Sequence, residues 1–272
     1  MRDFAASIAL YINEYTEFEG RVVEKNMPDG SVRYGVSIKR PEENISPTIY
    51  VESFYNDCLT VEDAATKIIQ IYEDTKVDMP DVGFMTDFEK VKDMLTVRLL
   101  PSTFKTEIFR SAKRYGFDDL ILVPYIDLGD ILGKGQGGSV LVRQQLISGW
   151  GVTKKEVIDT AIKNTKSEKA FVQSLNSFMT EMTGMEMDEI PGGPVIITNE
   201  KKTYGASAIL GQLTKLKKAN DGGFFVLPSS IHEVLVLPKM GNDKESLDAM
   251  VREVNMTQVS PEEQLANHAY EF

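Results

Sequence analysis

Two apolar runs flank a short polar segment in the stretch Phe224-Phe225-Val226-Leu227-Pro228-Ser229-Ser230-Ile231-His232-Glu233-Val234-Leu235-Val236-Leu237-Pro238. Short apolar runs bounded by turn residues are typical of buried strands. The stretch therefore predicts a hairpin-like pair of strands, with the proline and the two serines in the connection. It also contains one of the two histidines of the chain, beside two hydroxyl groups and a carboxylate. A local chemical site, if the protein has one, is expected here.

Strand pairs and helices alternate along the rest of the chain. Runs rich in β-branched and aromatic residues predict strands at residues 21–25, 32–38, 48–51, 119–126, 140–147 and 195–198. Hydrophobic periodicity and capping residues predict helices at residues 3–14, 60–72, 87–98, 102–114, 153–162, 167–182, 206–213 and 242–254, with a further helix start at 260–263. Antiparallel strand pairs separated by helix pairs favour an α+β fold, in which helices pack on mixed or antiparallel sheet segments.

The sequence indicates a boundary between two structural units, here called the seam, near residues 76–86, which include Met79-Pro80-Asp81-Val82-Gly83. Proline and glycine are common in segments that separate compact units. The seam predicts an N-terminal α+β subdomain at residues 1–78 and a larger α+β domain at residues 87–272. A chain of 272 residues also fits one continuous domain.

The bulk composition is that of an ordinary soluble globular protein. The chain is 42% hydrophobic and 26% charged, and no apolar run approaches the roughly 20 residues that span a bilayer. Cys58 is the single cysteine, so an internal disulfide is excluded and a cytoplasmic location is expected. The net charge of −11 repels phosphate backbones, so a nucleic acid is not an expected partner. A membrane is not an expected partner either, because the chain lacks a long apolar run.

Two apparent motifs lack the context that their chemistry requires. Residues 133–138 match the dinucleotide-binding pattern G-x-G-x-x-G, but a strand-forming run follows instead of a helix, which favours a hairpin loop. His232-Glu233 begins the zinc-protease pattern H-E-x-x-H, but Val236 occupies the position of the second histidine. With two histidines and one cysteine in the chain, a nitrogen- or sulfur-rich metal site is not expected. Carboxylates could still form a magnesium or calcium site, but no EF-hand spacing occurs, so no metal and no cofactor are predicted.

Ser229, Ser230 and His232 are the candidate nucleophiles and base. A serine hydrolase needs a hydroxyl within hydrogen-bond reach of an imidazole, and an acid that orients the ring. Glu233 is adjacent to His232, and neighbours on a strand point to opposite faces, so the orienting acid would come from elsewhere in the chain. The alternative is a turn whose serine hydroxyls bond the nearby backbone, with a structural histidine.

The methionines of residues 179–187 predict an adaptable apolar surface, at Met179, Met182, Met185 and Met187. Methionine is unbranched and polarisable, so it suits irregular cores and also surfaces that accept a partner. Core packing is the favoured interpretation, and a partner groove is the alternative. Trp150 stands before a helix start and predicts a hydrophobic anchor there.

Four groups of residues along the chain form recognisable motifs. They are Ile45-Ser46-Pro47-Thr48-Ile49-Tyr50-Val51 with Phe54-Tyr55, Trp150-Gly151-Val152-Thr153 with Ala161, Asn164 and Thr165, Leu227-Pro228-Ser229-Ser230-Ile231-His232-Glu233, and Met250-Val251 with Glu253-Val254-Asn255, Thr257-Gln258-Val259 and Glu262-Glu263. These motifs resemble an uncharacterised bacterial family that is common in Clostridia and is known as a domain of unknown function. The resemblance covers roughly residues 20–272. It implies a cytoplasmic bacterial α+β protein and carries no established activity.

These features together predict a non-catalytic interaction or regulatory protein that binds a protein or peptide partner. A hydrolase that uses Ser229 or Ser230 with His232 is the first alternative. A small-molecule sensor, with a pocket lined by His232, Asn255 and Trp150, is the second. The sequence leaves the oligomeric state open.

Overall fold

The computed structural model describes residues 1–26, 32–43, 46–74, 82–129, 138–190, 192–228 and 230–272. The chain forms two compact units, Met1–Pro80 and Asp81–Phe272. The division falls near the seam seen in the sequence. The domain bounds expected there, 1–78 and 87–272, stay a prediction.

The first unit is a three-stranded antiparallel sheet with helices. Its elements are α1 (Arg2–Tyr15), β1 (Glu19–Asn26), β2 (Val32–Lys39), β3 (Thr48–Tyr50), α2 (Glu52–Asn56) and α3 (Val61–Asp74). The strands are ordered β1-β2-β3. Apolar residues at helical spacing on α1 and α3, such as Ile8, Ile12 and Ile68, are buried with Val36 and Ile38 of β2. The three predicted strands and the two predicted long helices of this unit are confirmed, and β1 and β3 pair with β2.

The second unit contains two further sheets. The first sheet has β6 (Leu120–Asp127) paired with β4 (Leu95–Pro101), β5 (Arg110–Ser111) and β7 (Ser139–Leu141). The second has the order β12-β10-β11-β9-β8, formed by β8 (Ala170–Ser174), β9 (Val195–Asn199), β10 (Phe224–Leu227), β11 (Val234–Pro238) and β12 (Tyr270–Glu271). The helices are α4 (Phe88–Val91), α5 (Gln144–Trp150), α6 (Lys154–Ser167), α7 (Leu175–Thr183), α8 (Ile209–Ala219) and α9 (Lys244–Thr257). The α+β class is confirmed, and every described strand pair is antiparallel.

The predicted strand pair at 224–238 is confirmed, and both of its faces are covered. Phe224 and Val226 belong to the main core of the unit. Phe225 and Leu227 point to the other face, where they pack with Leu247 of α9 in a separate apolar cluster. A strand that is buried on both faces needs apolar residues at every position, which explains the uninterrupted run in the sequence.

The predicted helix at 87–98 is wrong beyond Val91. Helix α4 ends there, and β4 begins at Leu95. Buried and half-buried residues alternate along the first part of β4, and all of its residues pair with β6. Seven cross-strand pairs with a buried strand outweigh the helical spacing of the apolar residues.

The predicted helix at 102–114 is also wrong. This segment forms turns, the two-residue strand β5 and a single 3-10 turn. The predicted strand at 140–147 is confirmed as far as Leu141, because α5 begins at Gln144. The last bond to β6 runs from the N–H of Val142 to the carbonyl of Pro124, and polar residues follow from Arg143.

The predicted helix at 167–182 is interrupted by β8. All five residues of β8 pair with β9, and Ser174 then caps α7 by accepting a hydrogen bond from the N–H of Ser177. The predicted helix start at 260–263 is a turn, closed by a bond from the N–H of Glu263 to the carbonyl of Ser260. The predicted helix start at Thr153 is confirmed, since its side chain accepts from the N–H of Glu156 and so caps α6.

Two predicted features lie outside the described residues. They are positions 133–137 of the glycine-rich motif, and Ser229. Within the described ranges, every helix is too short or too polar to cross a membrane. The same ranges contain no group of three or more His, Cys, Asp or Glu side chains that could hold a metal ion.

Candidate functional site

His232 lies between β10 and β11, and both nitrogens of its imidazole have partners within the fold. Nδ1 accepts a hydrogen bond from the backbone N–H of Tyr204 at 3.1 Å. Nε2 lies 3.3 Å from Oε1 of Glu263. A neutral imidazole that accepts at one nitrogen donates at the other. The tautomer with its proton on Nε2 therefore satisfies both contacts, and these contacts fix the orientation of the ring.

Glu263 is the acid that the sequence did not identify. The hydroxyl of Ser260 donates to its second oxygen at 2.7 Å. This bond is the largest cause that lowers the pKa of the Glu263 carboxyl, and the contact with His232 lowers it further against the opposing effect of burial. An ionised carboxylate therefore faces the imidazole.

Ser230 and Glu233 form a second pair of polar side chains beside His232. The hydroxyl of Ser230 is buried and accepts a hydrogen bond from the backbone N–H of His232 at 3.0 Å. Burial raises the pKa of the Glu233 carboxyl, and a hydrogen bond with Ser230 partly offsets that rise. Ser230 thus bonds the nearby backbone, as the turn interpretation expects. The nucleophile role of Ser229 stays a prediction.

A stack of aromatic and cationic side chains extends from His232. The ring centroid of Tyr204 lies 5.3 Å from that of His232. The guanidinium of Arg98 lies 3.4 Å from the Tyr204 ring centroid and 4.0 Å from that of Tyr125. Burial lowers the pKa of Arg98. A desolvated cation–π contact contributes about 2 kcal/mol, so the stack helps to hold β4, β6 and the Tyr204 turn together.

The backbone beside Tyr204 leaves little room for change. Tyr204 has φ +52°, in the left-handed region that residues with a side chain rarely adopt. A Cβ atom at Gly205 would lie 2.5 Å from the backbone N of Asn199 and 2.8 Å from the carbonyl O of His232, and would overlap Oγ1 of Thr198. That hydroxyl donates to the same His232 carbonyl at 2.7 Å. His232 is therefore held through its backbone as well as its ring.

Trp150 and Asn255, the other candidate site residues, have separate structural contacts. Trp150 donates from Nε1 to the carbonyl of Met85 at 2.7 Å and packs on Phe88. Asn255 is buried and donates from Nδ2 to the carbonyl of Ala266 at 2.9 Å. The first contact anchors the end of α5, and the second holds the C-terminal segment against α9. These partners differ from those of His232.

Strand β8 is the outer strand of its five-stranded sheet. It pairs with β9 on one side and ends the strand order on the other, within the described part of the chain. The side chain of Val172, at its centre, is 51% exposed. An outer strand presents unpaired backbone N–H and C=O groups, to which another strand can bond.

A methionine-containing segment, residues 184–190, returns along α7 toward the end of β8. The amide of Asn176 donates to the carbonyl of Asp188, and the hydroxyl of Ser174 donates to Glu189 Oε1 at 2.6 Å. Its apolar side chains remain in solvent, with exposures of 69% for Met185, 42% for Met187 and 58% for Ile190. Core packing is therefore wrong for these two methionines, and the side chain of Met182 lies outside the described part.

The same segment is acidic. Residues 184–190 contain Glu186, Asp188 and Glu189, all of them exposed, and no lysine or arginine. Two lysines near β8 already pair with other acids, Lys169 with Glu200 at 3.1 Å and Lys202 with Glu181 at 3.9 Å. The surface beside β8 thus combines exposed apolar side chains with negative charge.

The whole chain, residues 1–272, matches the model of the Family of unknown function (DUF5688), and the protein belongs to that family. The resemblance to a domain of unknown function is confirmed at this level. No curated protein and no solved structure matches the sequence.

Proposed function

We propose that this member of a family of unknown function is a non-catalytic interaction protein, which binds an extended segment of a protein partner along β8. The observation that supports the proposal is the outer edge of β8, which pairs with no strand among the residues that the structure describes, with Val172 half exposed at its centre. An incoming strand would gain affinity from backbone hydrogen bonds and specificity from alternate side chains.

The surface beside the edge suggests the chemistry of the partner. Met185 and Met187 are exposed and conformationally adaptable, which suits contact with varied apolar side chains. The acids of residues 184–190 favour lysine or arginine in the partner, because opposite charges steer association and disfavour other partners. We therefore propose a partner segment in which apolar and basic residues alternate.

The length of β8 sets the scale of the interaction. Five residues provide a short strand, and an interface of this kind belongs to the small, transient class, below about 1,200 Å² of buried surface. A transient interaction agrees with a regulatory role. We place the protein in the bacterial cytoplasm, on the strength of the resemblance and of the lone cysteine.

The hydrolase alternative lacks comparable support in the described residues. It needs a serine hydroxyl at an imidazole nitrogen, whereas both nitrogens of His232 have other partners and Ser230 bonds the backbone.

The test uses Val172→Lys, with Val172→Thr as the matched control. A charged side chain at the centre of an outer strand blocks strand addition, whereas threonine keeps the shape and the strand preference of valine. A random peptide library would be selected on the wild-type protein alone. Affinities of the selected peptides would then be measured by fluorescence anisotropy.

We expect enriched peptides that alternate apolar and basic residues. Val172→Lys should weaken their binding at least roughly tenfold, or about 1.4 kcal/mol, and Val172→Thr should change it less than about threefold. Circular dichroism would establish that both variants are folded. Peptides that bind the two variants equally well would refute binding at this edge.

A further inference from the structure

An open cleft of about 610 Å³ lies beside the first sheet of the second unit. Residues 102–109, which connect β4 to β5, line one part of it, and Leu141, Arg143 and Gln145 line another. The cleft exists because residues 102–109 form turns instead of the predicted helix and because β7 ends at Leu141. Sites for small molecules usually have volumes of about 300–1,000 Å³.

Two cations in the cleft have no ion-pair partner among the residues that the structure describes. Lys105 and Arg143 line the cleft and are exposed, in a chain whose net charge is −11. Nearby Arg110, in contrast, is paired with Asp159. Glu107 is the one carboxylate among the lining residues. The cleft thus carries an excess of positive charge on an acidic protein, which favours an anion.

Apolar side chains line the same cleft. Phe104 is half-buried and packs against the main core, so its position is fixed by the fold. Phe109 is 49% exposed, and Leu141 lies on the other wall. A fixed aromatic ring beside an exposed one provides a surface for a planar or apolar group.

We propose that this cleft binds a small organic anion, an aromatic or apolar body that carries one phosphate or carboxylate group. The body contacts Phe104 and Phe109, and the anionic group lies between Lys105 and Arg143. A guanidinium matches the geometry of both anionic groups. The proposal is independent of strand addition at β8, because it uses other elements and other residues.

Nuclear magnetic resonance titrations with four probes test the proposal. Phenyl phosphate combines both parts of the ligand, inorganic phosphate has the anion alone, and benzyl alcohol has the ring alone. Benzoate replaces the phosphate with a carboxylate. Amide signals of ¹⁵N-labelled protein would be followed for residues 102–109 and 143–145.

We expect phenyl phosphate or benzoate to shift these signals and to bind at least about tenfold more tightly than inorganic phosphate or benzyl alcohol. The stronger of the two identifies the anionic group. Arg143→Gln should weaken binding roughly tenfold. Phe109→Ala should also weaken it, because the ring loses its apolar contact. Lys218→Gln, which removes the same charge from an exposed position of α8, should leave binding within about twofold.

Three outcomes would overturn the proposal. The first is that phenyl phosphate and benzoate, at concentrations up to about 10 mM, shift no amide signal of the residues that line the cleft. Even a weak site, with a dissociation constant of a few millimolar, would be detected at that concentration. The second is that neither phenyl phosphate nor benzoate binds more tightly than inorganic phosphate and benzyl alcohol. The third is an equal effect of Lys218→Gln and Arg143→Gln, which would indicate unspecific attraction. Thermal unfolding of each variant would show whether a lost signal reflects an unfolded protein.

Discussion

Gly205→Ala is predicted to destabilise the second unit, because the new methyl group has no space. It would meet the backbone N of Asn199 at 2.5 Å and the carbonyl O of His232 at 2.8 Å, and would overlap the Thr198 hydroxyl. Overpacking of this kind costs about 1–3 kcal/mol. Displacing Thr198 also breaks its hydrogen bond to the His232 carbonyl, which contributes about 1 kcal/mol more. We therefore expect a loss of about 2–4 kcal/mol.

Urea denaturation followed by tryptophan fluorescence measures this loss directly. Trp150 is the single tryptophan of the chain and lies in the same unit as Gly205, so its signal reports on that unit. Gly149→Ala is the matched control, because a Cβ atom there meets nothing within 4 Å and the position is helical. The control should be stabilised by up to about 1 kcal/mol. Equal midpoints for wild type and Gly205→Ala would refute the reasoning.

Two further variants test other parts of the structure. The hydrogen bonds from Lys155 and from Arg110 lower the pKa of Asp159 from 3.8 to about 2. A lowered folded pKa contributes stability above the unfolded value, and this stability is lost as the pH falls from about 4 through 2. Asp159→Asn should therefore lower the free energy of unfolding by roughly 1 kcal/mol near neutral pH, after allowance for solvent screening, and should leave it unchanged below about pH 2. Urea denaturation at several pH values measures this difference, and a difference that does not depend on pH would contradict the prediction. Asn255→Ala leaves the buried carbonyl of Ala266 without its hydrogen-bond donor, so it should lower the free energy of unfolding by about 2–3 kcal/mol, measured by urea denaturation. A loss of less than about 0.5 kcal/mol would show instead that water replaces the bond.

The strand pair at 224–238 could be predicted because its sequence pattern and its tertiary contacts agree. Both faces of β10 are buried, so every position is apolar. Neither a helical nor an alternating pattern of apolar residues therefore competes with the strand pattern. The helix of residues 61–72 was predictable for a related reason, since one side of α3 is buried. Local sequence is sufficient where a single pattern fits the segment.

The segments whose secondary structure was predicted wrongly have apolar patterns that fit both a helix and a strand. Apolar residues near Leu95 satisfy helical spacing, but seven pairs with β6 make them a strand. Ala170–Ser174 could continue a helix, but β9 provides partners for all five residues. These partners lie far away in the sequence, so propensity within the segment does not reveal them. Ser174, a good N-cap residue, was the local signal that a helix starts after β8.

The surroundings of His232 likewise depend on contacts with residues far away in the sequence. Adjacent residues in Ser229-Ser230-Ile231-His232-Glu233 suggested chemistry, yet the imidazole bonds to Tyr204 and Glu263, which the sequence does not connect with it. The sequence left two interpretations open for Met185 and Met187, packing in the core and exposure at a partner surface, because methionine suits both. The structure shows that both side chains are exposed.

The most direct test of the proposed function is the structure of the complex with a selected peptide, read from nuclear Overhauser contacts between labelled protein and unlabelled peptide. Binding along β8 predicts cross-strand contacts from the peptide backbone to Ala170–Ser174, and side-chain contacts to Val172 and Met187. Contacts confined to other surfaces, with the signals of Ala170–Ser174 unchanged on binding, would contradict it.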